Sequence, residues 1–121
     1  MSATELVELY FELWKTTDDN ERHALAGKIF TDAAVQYAVP ANVSFSGVDQ
    51  IEANIAKVNK DNIQQAGLQF HAGNSIANHN SVQIEWSVAA PNGKTVGTGR
   101  DFLLLDEDGR VTALYMFMGQ G

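Results

Sequence analysis

Apolar residues recur along this chain in two rhythms. In the first half they fall at helical spacing. Leu6, Leu9, Tyr10, Leu13 and Trp14 form one stripe over Thr4 to about Lys15. Ser2 with Glu5 fits a capping box at the start of that helix, and Asp18 with Glu21 fits a second, opening a helix to about Phe30. Val35 to Val39 reads as a short strand ended by Pro40. Ser46-Gly47 then introduces a third helix, with Val48, Ile51, Ile55 and Val58 on one side, ending before Gly67. Beyond it the rhythm shortens to alternation, predicting strands at about Leu68–Asn78, Val82–Ala90, Lys94–Leu105 and Val111–Met118. Turn residues separate them at His79-Asn-Ser81, Pro91-Asn-Gly93 and Asp106 to Gly109. The expected fold is α+β: one domain over residues 1–121, with three N-terminal helices wrapped by a curved, mainly antiparallel sheet. A strongly twisted sheet folded over helices leaves a conical cavity, a natural small-molecule site.

One position breaks the alternation. Asp101 shares a strand face with Leu103 and Leu105 in Val96-Gly-Thr-Gly-Arg-Asp-Phe-Leu-Leu-Leu105. A carboxylate on an apolar face needs partners or must take up a proton. Strongly perturbed acids concentrate at functional sites, so Asp101 is the first candidate for chemistry.

Composition narrows the surroundings of that site. The chain has 121 residues, enough to hide roughly two-thirds of its unfolded surface in one core. Its net charge is −7, with eight Lys and Arg scattered singly, so neither nucleic acid nor an anionic membrane is an expected partner. No run approaches the ~20 apolar residues of a membrane span, and the acidic N-terminus lacks the basic start of a secretory signal. The cytoplasm is the expected location. Cysteine is absent, which excludes disulfides, thiol nucleophiles and thiolate metal sites.

The histidines form no metal triad, and no metal or other cofactor is implied. His23 belongs to a polar helix and His79 to a turn. His71 alternates with Phe70 and points outward unless a bulge reverses it, which leaves it as the single histidine candidate for a general base. Gly97-Thr-Gly99 lacks the helix and lysine of a phosphate loop, so its glycines mark a bulge or close approach. Inward residues of a cone line its cavity. Trp14, Ile55, Phe70 and Trp86 are expected near its floor, and Tyr37, Leu103, Met116 and Met118 along its strands.

The element order, Ile29-Phe-Thr-Asp-Ala-Ala-Val35, the Ser-Gly before the third helix and Asp-Glu-Asp-Gly-Arg-Val in the last hairpin resemble the nuclear-transport-factor-2-like superfamily. Within it the SnoaL-like and ketosteroid-isomerase-like branches are most similar, over essentially the whole chain. The resemblance implies a sheet curved around three helices and a homodimer. It also implies roles. The isomerases' oxyanion-hole aspartate stands eight residues before the last-turn glycine, as Asp101 does before Gly109, and their tyrosine donor resembles Tyr10 in Tyr10-Phe-Glu-Leu13. Their base falls on Ala38 or Val39, neither of which takes a proton. The last strand, Thr-Ala-Leu-Tyr-Met-Phe, lacks the polyketide cyclases' acid. Arg100 and Asp101, being adjacent, face opposite sides, unlike the limonene-epoxide-hydrolase pattern.

The expectation is therefore an apolar pocket for a compact hydrophobic carbonyl or hydroxyl compound. As an isomerase or lyase, it would use protonated Asp101, helped by Tyr10, as oxyanion donor. A non-catalytic binder and a homodimeric association domain with a closed core are the alternatives. Phe102, Leu104, Tyr115 and Phe117 should form the outer patch of a homodimer.

Overall fold

A computed structural model describes residues 2–119. Two helices open it, α1 (Ala3–Lys15) and α2 (Asp19–Ile29). Both start at the expected caps. The Ser2 hydroxyl accepts the Glu5 N–H at 3.2 Å, and the Asp18 carboxylate accepts that of Glu21 at 2.8 Å. Each bond satisfies one donor that a helix start leaves unpaired. Next come β1 (Phe30–Val39), β2 (Val43–Ser46) and α3 (Val48–Val58), which runs on into a wider π-helical segment, Asn59–Gln65. Gly67, at φ +68°, turns the chain out of that segment. Strands β3 (Gln69–Asn78), β4 (Ser81–Ala89), β5 (Thr95–Leu105) and β6 (Val111–Met118) complete the chain.

The strands form one open, curved sheet in the order β2-β1-β6-β5-β4-β3. Every neighbouring pair is antiparallel except β1 and β6, which run parallel. The helices cover the concave face, so the fold is α+β. Leu6 and Leu13 of α1, Ile51 and Ile55 of α3, and Leu103 and Leu114 of the sheet are buried between them. No helix among the described residues is long and apolar enough to cross a membrane.

Two elements depart from expectation. β1 begins at Phe30, five residues before Val35, and its pairing with β6 shifts register between those residues. Polar Thr31 and Asp32 occupy the irregular stretch and interrupt the alternation that would reveal a strand. β2 has only four residues, too few for a periodic signal.

Candidate functional site

Pairing register places the site. Ala38 of β1, Met116 of β6, Asp101 of β5 and Ile84 of β4 stand side by side across the concave face. One step along lie Gln36, Leu114, Leu103 and Val82, and one step the other way Met118, Gly99 and Trp86. The helices and the end of the cone enclose a cavity of about 370 Å³ against these rows. That volume suits a compact ligand.

Asp101 is 2% exposed, and both its oxygens accept hydrogen bonds. The Tyr10 hydroxyl donates to Oδ2 at 2.6 Å, and the Trp86 indole N–H donates to Oδ1 at 2.8 Å. Burial pushes the Asp101 carboxyl up to about 6, against the opposing pull of those two donors. Burial also raises the Tyr10 phenol well above its ordinary value, and the adjacent Asp101 adds to the rise. The Trp14 indole lies edge-on to the Tyr10 ring, with centroids 6.3 Å apart. Its N–H has no partner of good geometry among the described residues, yet it lies close enough to Tyr10 to oppose that rise.

Gly99 explains how Trp86 reaches Asp101. The two residues face each other across β4 and β5, and the indole lies over the glycine. A Cβ at Gly99 would overlap the indole ring, so a residue without a side chain is required there. Gly97-Thr-Gly99 thus provides a close approach at its second glycine. Asn59, fully buried, donates to the Trp14 carbonyl at 2.8 Å and accepts from the Gln64 amide at 2.8 Å. It ties the end of α1 to the π-helical segment and so fixes the helical side of the cavity.

Of the expected lining residues, Trp14, Phe70, Trp86, Met116 and Met118 border the cavity together with Asp101 and Tyr10. Ile55 and Leu103 are fully buried in the core and do not border it. Tyr37 is a correction. It is 42% exposed on the outer face, with its ring 5.2 Å from that of Tyr115. The sheet is apolar on both faces, so hydrophobicity could not tell which face of β1 turns inward. His71 also lies outside the cavity, exposed on the edge strand β3. The bulge in β3 falls after Ala72, too late to turn His71 around. Burial favours a protonated Asp101 and the two donors on its oxygens favour an ionised one, which brings its titration, at about 6, close to neutral pH.

Gln36 went unnoticed in the sequence. It is 1% exposed and borders the cavity. Its Nε2 donates to the Met116 sulfur at 3.0 Å, and its Oε1 has no partner among the described residues. The signal was available: like Asp101, it is a polar residue in step with apolar inward neighbours, Ala34 and Ala38. Of the two residues on which the resemblance puts the isomerases' base, Ala38 is buried and borders the cavity, and Val39 is 40% exposed.

No family profile matches the chain, and no curated protein sequence does. Solved structures do. A candidate isomerase of the SnoaL-like family from Agrobacterium tumefaciens str. C58 superposes with a TM-score of 0.83 at 21% identity, covering 98% of this chain and 97% of that one. An NTF2-like protein of unknown function from Cytophaga hutchinsonii gives 0.70 at 15% identity, covering 98% and 90%. A candidate polyketide cyclase from Sinorhizobium meliloti gives 0.69 at 18% identity, covering 93% of each. These likenesses show the fold alone, a curved sheet over three helices of the kind seen in those SnoaL-like and NTF2-like structures.

Proposed function

We propose that this chain of NTF2-like fold binds a compact, mostly apolar molecule with a carbonyl or hydroxyl group, taking Asp101 as its polar contact. The observation that carries this reading is the buried Asp101–Tyr10–Trp86 cluster opening onto an apolar cavity of about 370 Å³. Each carboxylate oxygen keeps acceptor capacity beyond the one donor it already holds. An ionised Asp101 accepts from a ligand hydroxyl. A protonated one donates to a carbonyl. Hydroxyl compounds should therefore bind best above pH 6 and carbonyl compounds below it.

The raised pKa of an acid that borders the cavity favours one further reading, proton-transfer catalysis of the isomerase type. Asp101 would remove a proton from carbon next to an unsaturated group and return it to another carbon as the double bond moves. Such a step needs no further reactant. Tyr10 would act by holding Asp101, since its hydroxyl is already committed. The likenesses to a candidate isomerase and a candidate cyclase are consistent with either reading.

A thermal-shift screen against small carbonyl and hydroxyl compounds at pH 5 and pH 8 tests the proposal. A ligand that binds only the folded state raises Tm. The expected result is a shift that disappears in Ala38→Phe, whose ring fills the cavity. Shifts that survive this substitution would place binding elsewhere and reject the reading.

The outer face supports a proposal about assembly, that a second copy of this chain covers it. Tyr37, Val39, Phe102, Leu104, Tyr115 and Phe117 are each between 36% and 42% exposed. They are contiguous in the sheet register. A contiguous apolar patch of this kind is a common mark of a protein contact, and a C2 contact would cover it on both subunits at once.

A further inference from the structure

The ligand class narrows when the second polar group in the cavity is read with the first. Gln36 is almost fully buried, and its Oε1 has no hydrogen-bond partner among the described residues. Its Nε2 rests on a thioether, a weak acceptor. Leaving a buried amide oxygen unpaired is costly, and nothing in the packing of β1 requires a polar residue there, since Ala34 and Ala38 occupy the flanking inward positions. Gln36 borders the same cavity as Asp101.

Sheet register separates the two groups. Gln36 pairs with Leu114 and Asp101 with Met116, with β6 running between β1 and β5. Two strand spacings and the two-residue offset along β6 place their backbones about 12 Å apart, and both side chains project inward from a concave face, which shortens the gap. Met116 lies between them, forming an apolar floor. The acceptor capacity these two groups leave is the remaining lone pairs of the Asp101 carboxylate and the unpartnered Gln36 Oε1. The donors beside Asp101, Tyr10 O–H and Trp86 N–H, are already committed to it.

Resting on the pocket reading above, we infer that the ligand is an apolar molecule with two hydrogen-bond donors at opposite ends, a diol or diphenol, held by Asp101 at one end and Gln36 at the other. Gln36 is then the residue that selects two-ended over one-ended ligands. A molecule with a single hydroxyl satisfies Asp101 and leaves the amide oxygen buried and unpaired. A ligand methylated at its second hydroxyl keeps the oxygen but loses the donor, and meets Gln36 acceptor to acceptor.

Titration calorimetry at pH 8 with naphthalene, a naphthol, a naphthalenediol with hydroxyls at its two ends, and the monomethyl ether of that diol tests this. The diol should bind the wild type about tenfold more tightly than the naphthol, the order expected for one added net hydrogen bond that relieves a buried orphan. The monomethyl ether should lose that gain. In Gln36→Met, close in size and without the acceptor, diol and naphthol should bind alike. The wild-type ether comparison stands even if the variant folds poorly. A diol no tighter than the naphthol in the wild type, or a diol advantage that survives in Gln36→Met, overturns the inference while naphthol binding leaves the pocket reading intact. Failure of every compound to bind overturns both.

Discussion

Asp101 and Phe102 are neighbours on β5 with opposite environments. Asp101 faces the helices, is 2% exposed, and has both oxygens engaged by groups from distant elements. Phe102 faces outward, is 36% exposed, and packs edge-on against Phe117 with centroids 5.6 Å apart. The polar residue is inside and the apolar one outside, the reverse of the ordinary arrangement. Each side of the sheet thus keeps something that folding alone would not choose. The inner face retains a carboxylate and an amide that cost stability to bury. The outer face leaves aromatic surface in contact with water. Both inversions are explained if each face serves binding, the inner one for a small molecule and the outer one for a second subunit.

The sharpest way to break this contrast is to charge the outer face. Phe102→Asp combined with Tyr115→Asp would put like charges on both sides of the proposed twofold contact. Wild-type protein should sediment as a dimer at micromolar concentration, and the double variant as a monomer with its fold intact by circular dichroism. A wild type that sediments only as monomer would remove the outer half of the contrast.

Inside, Trp86→Ala should carry the largest stability cost, because it removes packing over Gly99 and one of the two donors to Asp101. The residue borders the cavity, so the loss should be roughly 2–3 kcal/mol, at or just below the usual range for truncating a packed aromatic side chain. Trp86→Phe should recover most of the packing and none of the hydrogen bond. Removing that donor should also raise the Asp101 pKa further, since the bond favours the ionised form. Urea unfolding measures the first effect. If Phe102→Ala in monomeric protein cost as much as Trp86→Ala, the two faces would not differ energetically as argued.

A smaller effect separates the faces by pH. The folded pKa of Asp101, about 6, lies above its ordinary value of 3.8. The folded state therefore binds the proton more tightly than the unfolded chain. The stability this confers is fully present below about pH 4 and lost as pH rises through 6. A shift of about two units corresponds to an upper figure on the order of 2–3 kcal/mol. Asp101→Asn should abolish that part of the pH dependence, because its amide can serve both neighbours without a charge. Parallel stability profiles for the two proteins between pH 4 and pH 7 would mean that Asp101 is not desolvated as described.

How much of this was legible beforehand depended on whether a strand's two faces differ in polarity. Capping residues and helical stripes placed all three helices, because Ser2, Asp18 and the Ile51–Ile55 spacing act locally. On β5 the alternation was unambiguous, since Asp101 marks one face and Arg100 begins the other, so Phe102 and Leu104 could be assigned outward. On β1 it was not. Val35, Tyr37 and Val39 form the more hydrophobic set, yet Tyr37 and Val39 face out, and the inward set contains Gln36. A sheet with an apolar outer face defeats the assumption that apolar means inward. For the same reason the alternation on β1 assigns Tyr37 to the lining and hides Gln36. The contact between Trp86 and Asp101 depends on a glycine opposite the indole in another strand, which no local pattern encodes.

The faintest expected effect concerns chemistry that the inner face lacks one group to perform. Isomerising a ketosteroid requires a base above the ring and a donor to the enolate oxygen at the same time. Asp101 can be a base when ionised or a donor when protonated, and Tyr10 and Trp86 are committed to it. The wild type should therefore show negligible isomerase activity on a ketosteroid, and turnover of that substrate at ~1 per second or faster would show that a second group had been missed. Ala38→Asp should supply one. Residue 38 stands in the same row as Asp101 with Met116 between them, and it borders the cavity. A new carboxylate there would repel charge on Asp101 and raise its pKa, favouring the protonated form that can donate. One acid would then act as base and the other as donor. Weak turnover, followed by the ultraviolet absorbance of the conjugated product, is the expected gain. Val39→Asp, one residue along on the outward face, should gain nothing, because its side chain sits 40% exposed on the far side of the sheet. Equal activity from the two variants would show that the inward assignment of residue 38 is wrong.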